Sequence, residues 1–141
     1  MMDRLKVRDI MTAQVTTLKR NDKLTLADDV MQLGRIRHLP VLDDEGEQLV
    51  GIVSQRDLFR GALAQALGYG QYAHRKLLDT FSVKDVMATE VITTGADTPL
   101  VEAARVLMER KIGCLPVIEN GRLAGIITEG DFVALVARKG G

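Results

Sequence analysis

The sequence is poor in the residues that usually advertise a chemistry. Its 141 residues include one cysteine, Cys114, no tryptophan, three phenylalanines and two tyrosines. A single cysteine excludes an internal disulfide and a cysteine-based zinc cage. Cys114 has no paired base in its own segment and reads as a small buried strand thiol. The two histidines, His38 and His74, stand in no metal-ligand spacing, so no metal is expected. Aromatic residues make up 4% of the chain against 46% for hydrophobic residues as a whole, which calls for an aliphatic core. Neither sign of charge is in excess, since 19 Lys and Arg balance 19 Asp and Glu. A nucleic-acid partner, which needs a basic stripe, is therefore not expected. No apolar run approaches the roughly 18 residues of a membrane-spanning helix. The N-terminal MMDRLKVRDIM carries charges where a secretory signal has its apolar segment. The carboxylates form no evident acid/base pair. These absences lead to the expectation of a soluble, cytoplasmic protein that is not an enzyme.

What the chain does have is repetition. Val7-Arg8-Asp9-Ile10-Met11 returns as Val83-Lys84-Asp85-Val86-Met87, an offset of 76 (83 − 7). The same offset pairs Val15 with Val91, Thr17 with Thr93, Leu24 with Leu100, and Ala27 with Ala103. It also pairs Leu39-Pro40-Val41 with Leu115-Pro116-Val117. Further on the offset falls to 74 (125 − 51), because DDEGEQ is longer than ENGR. Gly51, Ser54 and Asp57 then meet Gly125, Thr128 and Asp131. An insertion in an acidic, glycine-bearing turn is where a repeat tolerates one.

Each repeat predicts the order β-α-β-β-α. A short strand over 15–18 or 91–94 leads to a helix with Asp22 or Thr98 as N-cap and Pro99 in the first turn. Apolar residues then recur at helical spacing, Leu26, Val30 and Leu33 in one repeat, Leu100, Ala103, Ala104 and Leu107 in the other. The LPVL or LPVI strand has proline near its start, where a missing N–H is tolerable. After a turn comes the β-branched strand LVGIVS or LAGIIT, and a last helix opens at QRDLF or EGDFV. The division expected is a first repeat with its lead-in over 1–60, a helical linker over 61–80 broken at 68–70, and a second repeat over 81–141. One repeat cannot cover both faces of a three-stranded sheet. The fold class expected is therefore α/β (α+β), two βαββα repeats packed with pseudo-two-fold symmetry on a common aliphatic core.

Ser54-Gln55-Arg56-Asp57 and Thr128-Glu129-Gly130-Asp131 each put a hydroxyl at a strand-helix junction and an acid three residues later. One reading is structural: the hydroxyl caps the helix and the acid complements its dipole. Another adds a ligand, because a helix N-terminus suits phosphate and a neighbouring carboxylate can accept both hydroxyls of a ribose. The two are compatible. Gly51 and Gly125 read equally as bulge glycines or as room for a ligand.

The segments DIMTAQVTTL, IRHLPVLD and GIVSQRDL, with their counterparts DVMATEVITT, IGCLPVIE and GIITEGDF, resemble the tandem cystathionine-β-synthase (CBS) domain pair, often called a Bateman module. The resemblance covers about residues 5 to 137. It implies a reversible adenine-nucleotide ligand (AMP, ADP or ATP) in the cleft of each repeat rather than a resident cofactor. It also implies a homodimer and a regulated effector protein that the sequence does not identify. Carried over by position, Asp57 and Asp131 would bind ribose. Ser54, Gln55, Arg56, Thr128, Arg37 and His38 would face phosphate. Thr17, Leu39, Pro40, Thr93, Gly113, Cys114, Leu115 and Pro116 would line the adenine pocket, although plain core packing accounts equally for the apolar members. The repeats diverge at Arg37 against Gly113, His38 against Cys114, Gln55 against Glu129 and Arg56 against Gly130, so two seats would be unequal. S-adenosylmethionine or NAD would suit the same ribose-binding acid. A ligand-independent dimerisation scaffold is the other function the repeat permits.

Overall fold

The structure, a computed structural model, describes residues 4–56, 75, 76 and 78–140, for 139 and 140 the backbone alone. Asp57 and most of the linker expected over 61–80, including its break at 68–70, lie outside the described residues. In chain order the elements are α1 (Val7–Ile10), β1 (Leu18–Lys19), α2 (Leu24–Gly34), β2 (His38–Leu42), β3 (Leu49–Ser54), β4 (Thr94–Gly95), α3 (Leu100–Arg110), β5 (Cys114–Glu119), β6 (Arg122–Thr128) and α4 (Glu129–Gly140). A 3-10 turn over Val83–Asp85 occupies the place of α1 in the second lead-in.

Two compact units result, Thr16–Val91 and Met1–Val15 with Ile92–Gly141. Each holds a three-stranded sheet, β1-β2-β3 or β4-β5-β6, whose first pair is parallel and second antiparallel. The expected contiguous division at 60 and 81 does not coincide with these units, because the lead-ins are exchanged. Residues 5–12 bond to the second repeat and residues 81–88 to the first. The Val7 N–H donates to Thr98 O and the Arg8 N–H to Ala96 O, both at 2.9 Å. At the same offset, the Val83 N–H donates to Asp22 O at 2.8 Å and the Lys84 N–H to Arg20 O at 2.9 Å.

The exchange also moves the expected helix caps. The first helical N–H of α2, from Leu24, donates to Phe81 O at 3.0 Å, and that of α3, from Leu100, to Leu5 O at 2.8 Å. A backbone carbonyl of the lead-in thus satisfies a donor that otherwise needs a side-chain cap. Asp22 and Thr98, expected as N-caps, instead close the preceding turns, accepting from the Lys19 N–H at 2.8 Å and the Gly95 N–H at 3.2 Å. The opening strands begin later than expected. Only Leu18–Lys19 and Thr94–Gly95 pair, against Val41–Leu42 and Val117–Ile118.

Helix α2 buries Leu24, Ala27 and Met31, and α3 buries Leu100, Ala103 and Leu107, one stripe at the repeat offset. The stripe expected for α2 is therefore corrected. Leu26 is 44% exposed and Leu33 88%, and only Val30 of that set packs on the core. Each unit has its own aliphatic cluster, around Leu39, Val41 and Val53 in one and Leu115, Val117 and Ile127 in the other. Fully burying each such side chain stabilises by about 1.5–3 kcal/mol.

Both antiparallel pairs carry a bulge. Val41 faces Gly51 while Leu42 faces Leu49, and Val117 faces Gly125 while Ile118 faces Leu123. The glycines follow the bulged residues, but a close approach is what requires them. A Cβ on Gly125 would meet Met11 Sδ and Thr12 O, both at 2.8 Å, and one on Gly51 would meet Met87 Sδ at 2.6 Å and Ala88 O at 3.0 Å. The lead-in backbone lies against the strand here. Thr12 and Ile126 exchange N–H···O bonds of 2.9 Å in both directions, and Ala88 and Ile52 do so at 2.9 and 3.0 Å.

Candidate functional site

Sheet topology gathers the candidate residues at one end of each sheet. Because β5 runs parallel to β4 and antiparallel to β6, the starts of β4 and β5 and the end of β6 coincide. In the second repeat that end holds Gly113 and Cys114, with Cys114 paired to Thr128. Thr93 stands one position before the Thr94–Val117 pair, level with Pro116. Helix α4 starts at the same end, and its first N–H, from Glu129, donates to Gly113 O at 3.2 Å.

The first repeat has the same arrangement. His38 pairs with Ser54, Thr17 precedes the Leu18–Val41 pair beside Pro40, and the Gln55 N–H donates to Arg37 O at 2.7 Å. Gln55 and Arg56 are helical and exposed, as is Arg37 on its bend. Of the two expected ribose acids, the described residues include Asp131 alone.

At the start of α4 the structural reading of the motif is realised. The Thr128 N–H donates to Asp131 Oδ2 at 2.8 Å, the Thr128 hydroxyl donates to the same oxygen at 3.3 Å, and the Asp131 N–H reaches Thr128 Oγ1 at 3.4 Å. This is a capping box. Its second carboxylate oxygen, Oδ1, accepts the Thr12 hydroxyl at 3.3 Å. A Cβ on Gly130 would meet only Thr128 Oγ1, at 3.5 Å. A helix N-terminus with an acid beside it has the donors and acceptors for a phosphorylated ribose.

Leu39 and Leu115 have no exposed surface and Pro40 and Pro116 almost none, so the core-packing account of these adenine-pocket candidates describes their positions. Cys114 is buried as expected, and burial pushes its thiol up to about 12. Arg35 and Lys111, the repeated cations after α2 and α3, sit at left-handed C-caps with φ of 54° and 56°. There they complement the helix dipole. Thr12, Met11 and Met87 did not stand out as site residues. The difference between DIMT and DVMA was the available signal.

In the second unit, α3 and α4 flank a groove of about 580 Å³ walled by Ala104, Leu107, Met108, Ile112 and Phe132, with Lys111 and Glu129. Among the described residues no group of three or more His, Cys, Asp and Glu could hold a metal ion, and no helix is long and apolar enough to cross a membrane.

The model of the CBS domain matches residues 7–64 and 83–138. The chain belongs to the CBS-domain family. A solved structure from Vibrio cholerae, carried under the name acetoin utilization protein (AcuB), is 36% identical, with 96% of this chain and 92% of that one covered and a TM-score of 0.81. CBSX2, solved in complex with AMP, is 30% identical over 96% of this chain and 98% of its own, with a TM-score of 0.77. The CBS domain pair of protein MJ0100, solved with 5′-methylthioadenosine and S-adenosyl-L-methionine, is 27% identical over 96% and 98%, with a TM-score of 0.76. The CBS pair here spans 32% and 42% of the length of two curated relatives from Methanocaldococcus jannaschii.

Proposed function

We propose that this CBS pair is a regulatory module that takes an adenine nucleotide reversibly at the helix-start seat of each repeat and passes its occupancy to an effector protein. The observation that carries the reading is the Thr128–Asp131 arrangement at the start of α4, in a family whose members CBSX2 and MJ0100 were solved with adenosyl ligands. Asp131, and Asp57 by its matching sequence position, accept the ribose hydroxyls. Thr128 and Ser54, with Gln55, Arg56, Arg37 and His38, face the phosphate. Thr17, Thr93, Gly113 and Cys114 frame the base, with Leu39, Pro40, Leu115 and Pro116 as its core support. The signal is linkage: ligand favours one arrangement of the module over another by its difference in affinity.

An AMP-sized ligand of about 23 heavy atoms at roughly 0.3 kcal/mol per atom gives about 7 kcal/mol, a Kd on the order of 10 μM, suited to sensing. The test is titration calorimetry and thermal shift with AMP, ADP, ATP, S-adenosylmethionine, 5′-methylthioadenosine and NAD. The expected result is a Tm rise with at least one adenosyl ligand, weakened about tenfold or more by Asp131→Asn, since a bond to a charged acceptor is worth about 1.5–3 kcal/mol. No response to any of them up to millimolar concentration would remove the reading.

A homodimer is part of the same proposal. Supporting it are the exposed apolar side chains of three helices, Leu33 on α2, Met108 on α3, and Val133 and Val136 on α4, each more than 60% exposed. The same exposure favours a ligand-independent dimerisation scaffold as the second reading. A dimer by light scattering with no nucleotide response would select it.

A further inference from the structure

We propose that Thr12 is a positioning residue that makes the second seat discriminate against ribose diols. The inference rests on the adenosyl seat proposed above. Asp131 Oδ2 faces the cap, accepting the N–H of Thr128 at 2.8 Å and its hydroxyl at 3.3 Å. The outward oxygen, Oδ1, already accepts the Thr12 hydroxyl at 3.3 Å. A carboxylate oxygen has two lone pairs. One acceptor position on that oxygen therefore remains for a ligand, and a second ligand hydroxyl there has to displace that of Thr12. At 3.3 Å the bond lies beyond the usual O–H···O range of about 2.5–3.0 Å, so it is weak enough to exchange.

The backbone that delivers this hydroxyl is fixed. Thr12 exchanges two bonds of 2.9 Å with Ile126, and its carbonyl stands 2.8 Å from where a Cβ on Gly125 would be. The first repeat has the same construction without the hydroxyl. Ala88 exchanges bonds of 2.9 and 3.0 Å with Ile52 and stands against Gly51, at the position that matches Thr12. The two lead-ins thus differ, at one matched backbone position, by a competing hydroxyl.

The test is an NMR titration of the full chain, with binding at the second seat read at the Thr128 and Gly130 amides and at the first seat at the Ile52 and Gln55 amides. The probes are AMP and S-adenosylmethionine, which carry two ribose hydroxyls, and 2′-deoxy-AMP, which carries one. Thr12→Val keeps the shape and removes the hydroxyl. It is expected to tighten the diol probes at the second seat by about three- to tenfold and leave 2′-deoxy-AMP unchanged, while Thr12→Ser restores the parent ratio. A purely structural role for Thr12 would move both kinds of probe together, and an unchanged diol-to-deoxy ratio in Thr12→Val with normal parent binding overturns this inference alone. Absence of binding by the parent overturns the seat and this inference together.

Discussion

Replacing Gly125 by alanine tests the interior of the second unit at the point where the lead-in crosses the strand. The added methyl would sit 2.8 Å from Thr12 O, 2.8 Å from Met11 Sδ and 3.3 Å from Met11 Cγ. The thioether can swing aside, but the carbonyl cannot, because it is bonded to the Ile126 N–H at 2.9 Å. Restoring ordinary contact moves the lead-in backbone by about half an ångström or more and lengthens both Thr12–Ile126 bonds past useful geometry. Overpacking costs about 1–3 kcal/mol and each lost backbone bond about 1 kcal/mol net. With partial relaxation the expected loss is about 2–4 kcal/mol, a large part of a typical domain stability of about 5–15 kcal/mol. Gly51→Ala should fall at the lower end, since Ala88 O is 3.0 Å away and the nearest atom, Met87 Sδ, is side chain. Gly130→Ala is the control: its methyl meets only Thr128 Oγ1 at 3.5 Å, and alanine in a helix gains about 0.5–1 kcal/mol over glycine. The assay is urea unfolding followed by far-UV circular dichroism, with the midpoint compared at constant m. Adding Met11→Ala to Gly125→Ala should recover only the side-chain share of the loss. A Gly125→Ala protein within 0.5 kcal/mol of the parent, or a double variant that recovers fully, would refute the claim that the backbone carbonyl sets the requirement.

Thr128→Ala removes the cap of α4 and should lower stability by about 1 kcal/mol, read from the urea midpoint without ligand. Arg8 bridges Asp97 and Glu119, and its hydrogen bond holds the Asp97 carboxyl below its ordinary value. The fold therefore keeps Asp97 ionised where the unfolded chain takes up a proton; the contribution is present above pH of about 4 and lost as pH falls through the folded value. Urea midpoints of Arg8→Met should lack that part of the acid limb seen in the parent between pH 6 and 2.5. For Cys114 the sign reverses: burial raises the thiol from 9.0 to about 12, so the unfolded chain ionises first and stability falls as pH rises above about 9. Thiol labelling of the native protein at pH 8 should run about a thousandfold slower than in unfolding urea, three pH units of lost thiolate, and a native rate within tenfold would contradict the burial.

Much of the fold was legible because the chain states it twice. The repeat offset located the LPV strands, the β-branched strands and the junction hydroxyls, and their order placed Thr128, Cys114 and Gly113 at one end of a sheet. The face of α2 was not legible, since Leu26, Val30 and Leu33 form an apolar stripe as regular as Leu24, Ala27 and Met31. Only the comparison of Leu24 with Leu100 separates them. Asp22 and Thr98 looked like caps because local spacing cannot reveal that Phe81 O and Leu5 O, distant in sequence, satisfy the same N–H groups. Gly51 and Gly125 offered a bulge or a ligand as reasons. Their tertiary reason, a lead-in passing at van der Waals contact, leaves no local mark. For the site, the residues came from motif and resemblance, whereas the bond from Thr12 to Asp131 spans nearly the whole chain and lies beyond any local pattern.

The exchanged lead-ins make a prediction about where the chain can be cut. A fragment of residues 16–91 keeps every bond that holds its second lead-in: Val83 to Asp22, Lys84 to Arg20, Leu24 to Phe81, and the Ala88–Ile52 pair. It also keeps the buried Val83 and Leu78 in the cluster of Leu24, Leu39 and Val53. A fragment of residues 1–80 follows the repeat as the sequence writes it but loses all four sets. It retains a lead-in whose acceptors, Ala96 and Thr98, are absent. Its α2 starts with the Leu24 N–H unsatisfied, and Val83 is missing from its core. One fully buried aliphatic side chain and several backbone bonds, at about 1.5–3 and 1 kcal/mol each, exceed what a domain of this size holds in reserve. The 16–91 fragment should therefore unfold in one sigmoidal urea transition, while 1–80 shows none. Comparable transitions in both would mean that the lead-ins decorate the units rather than complete them.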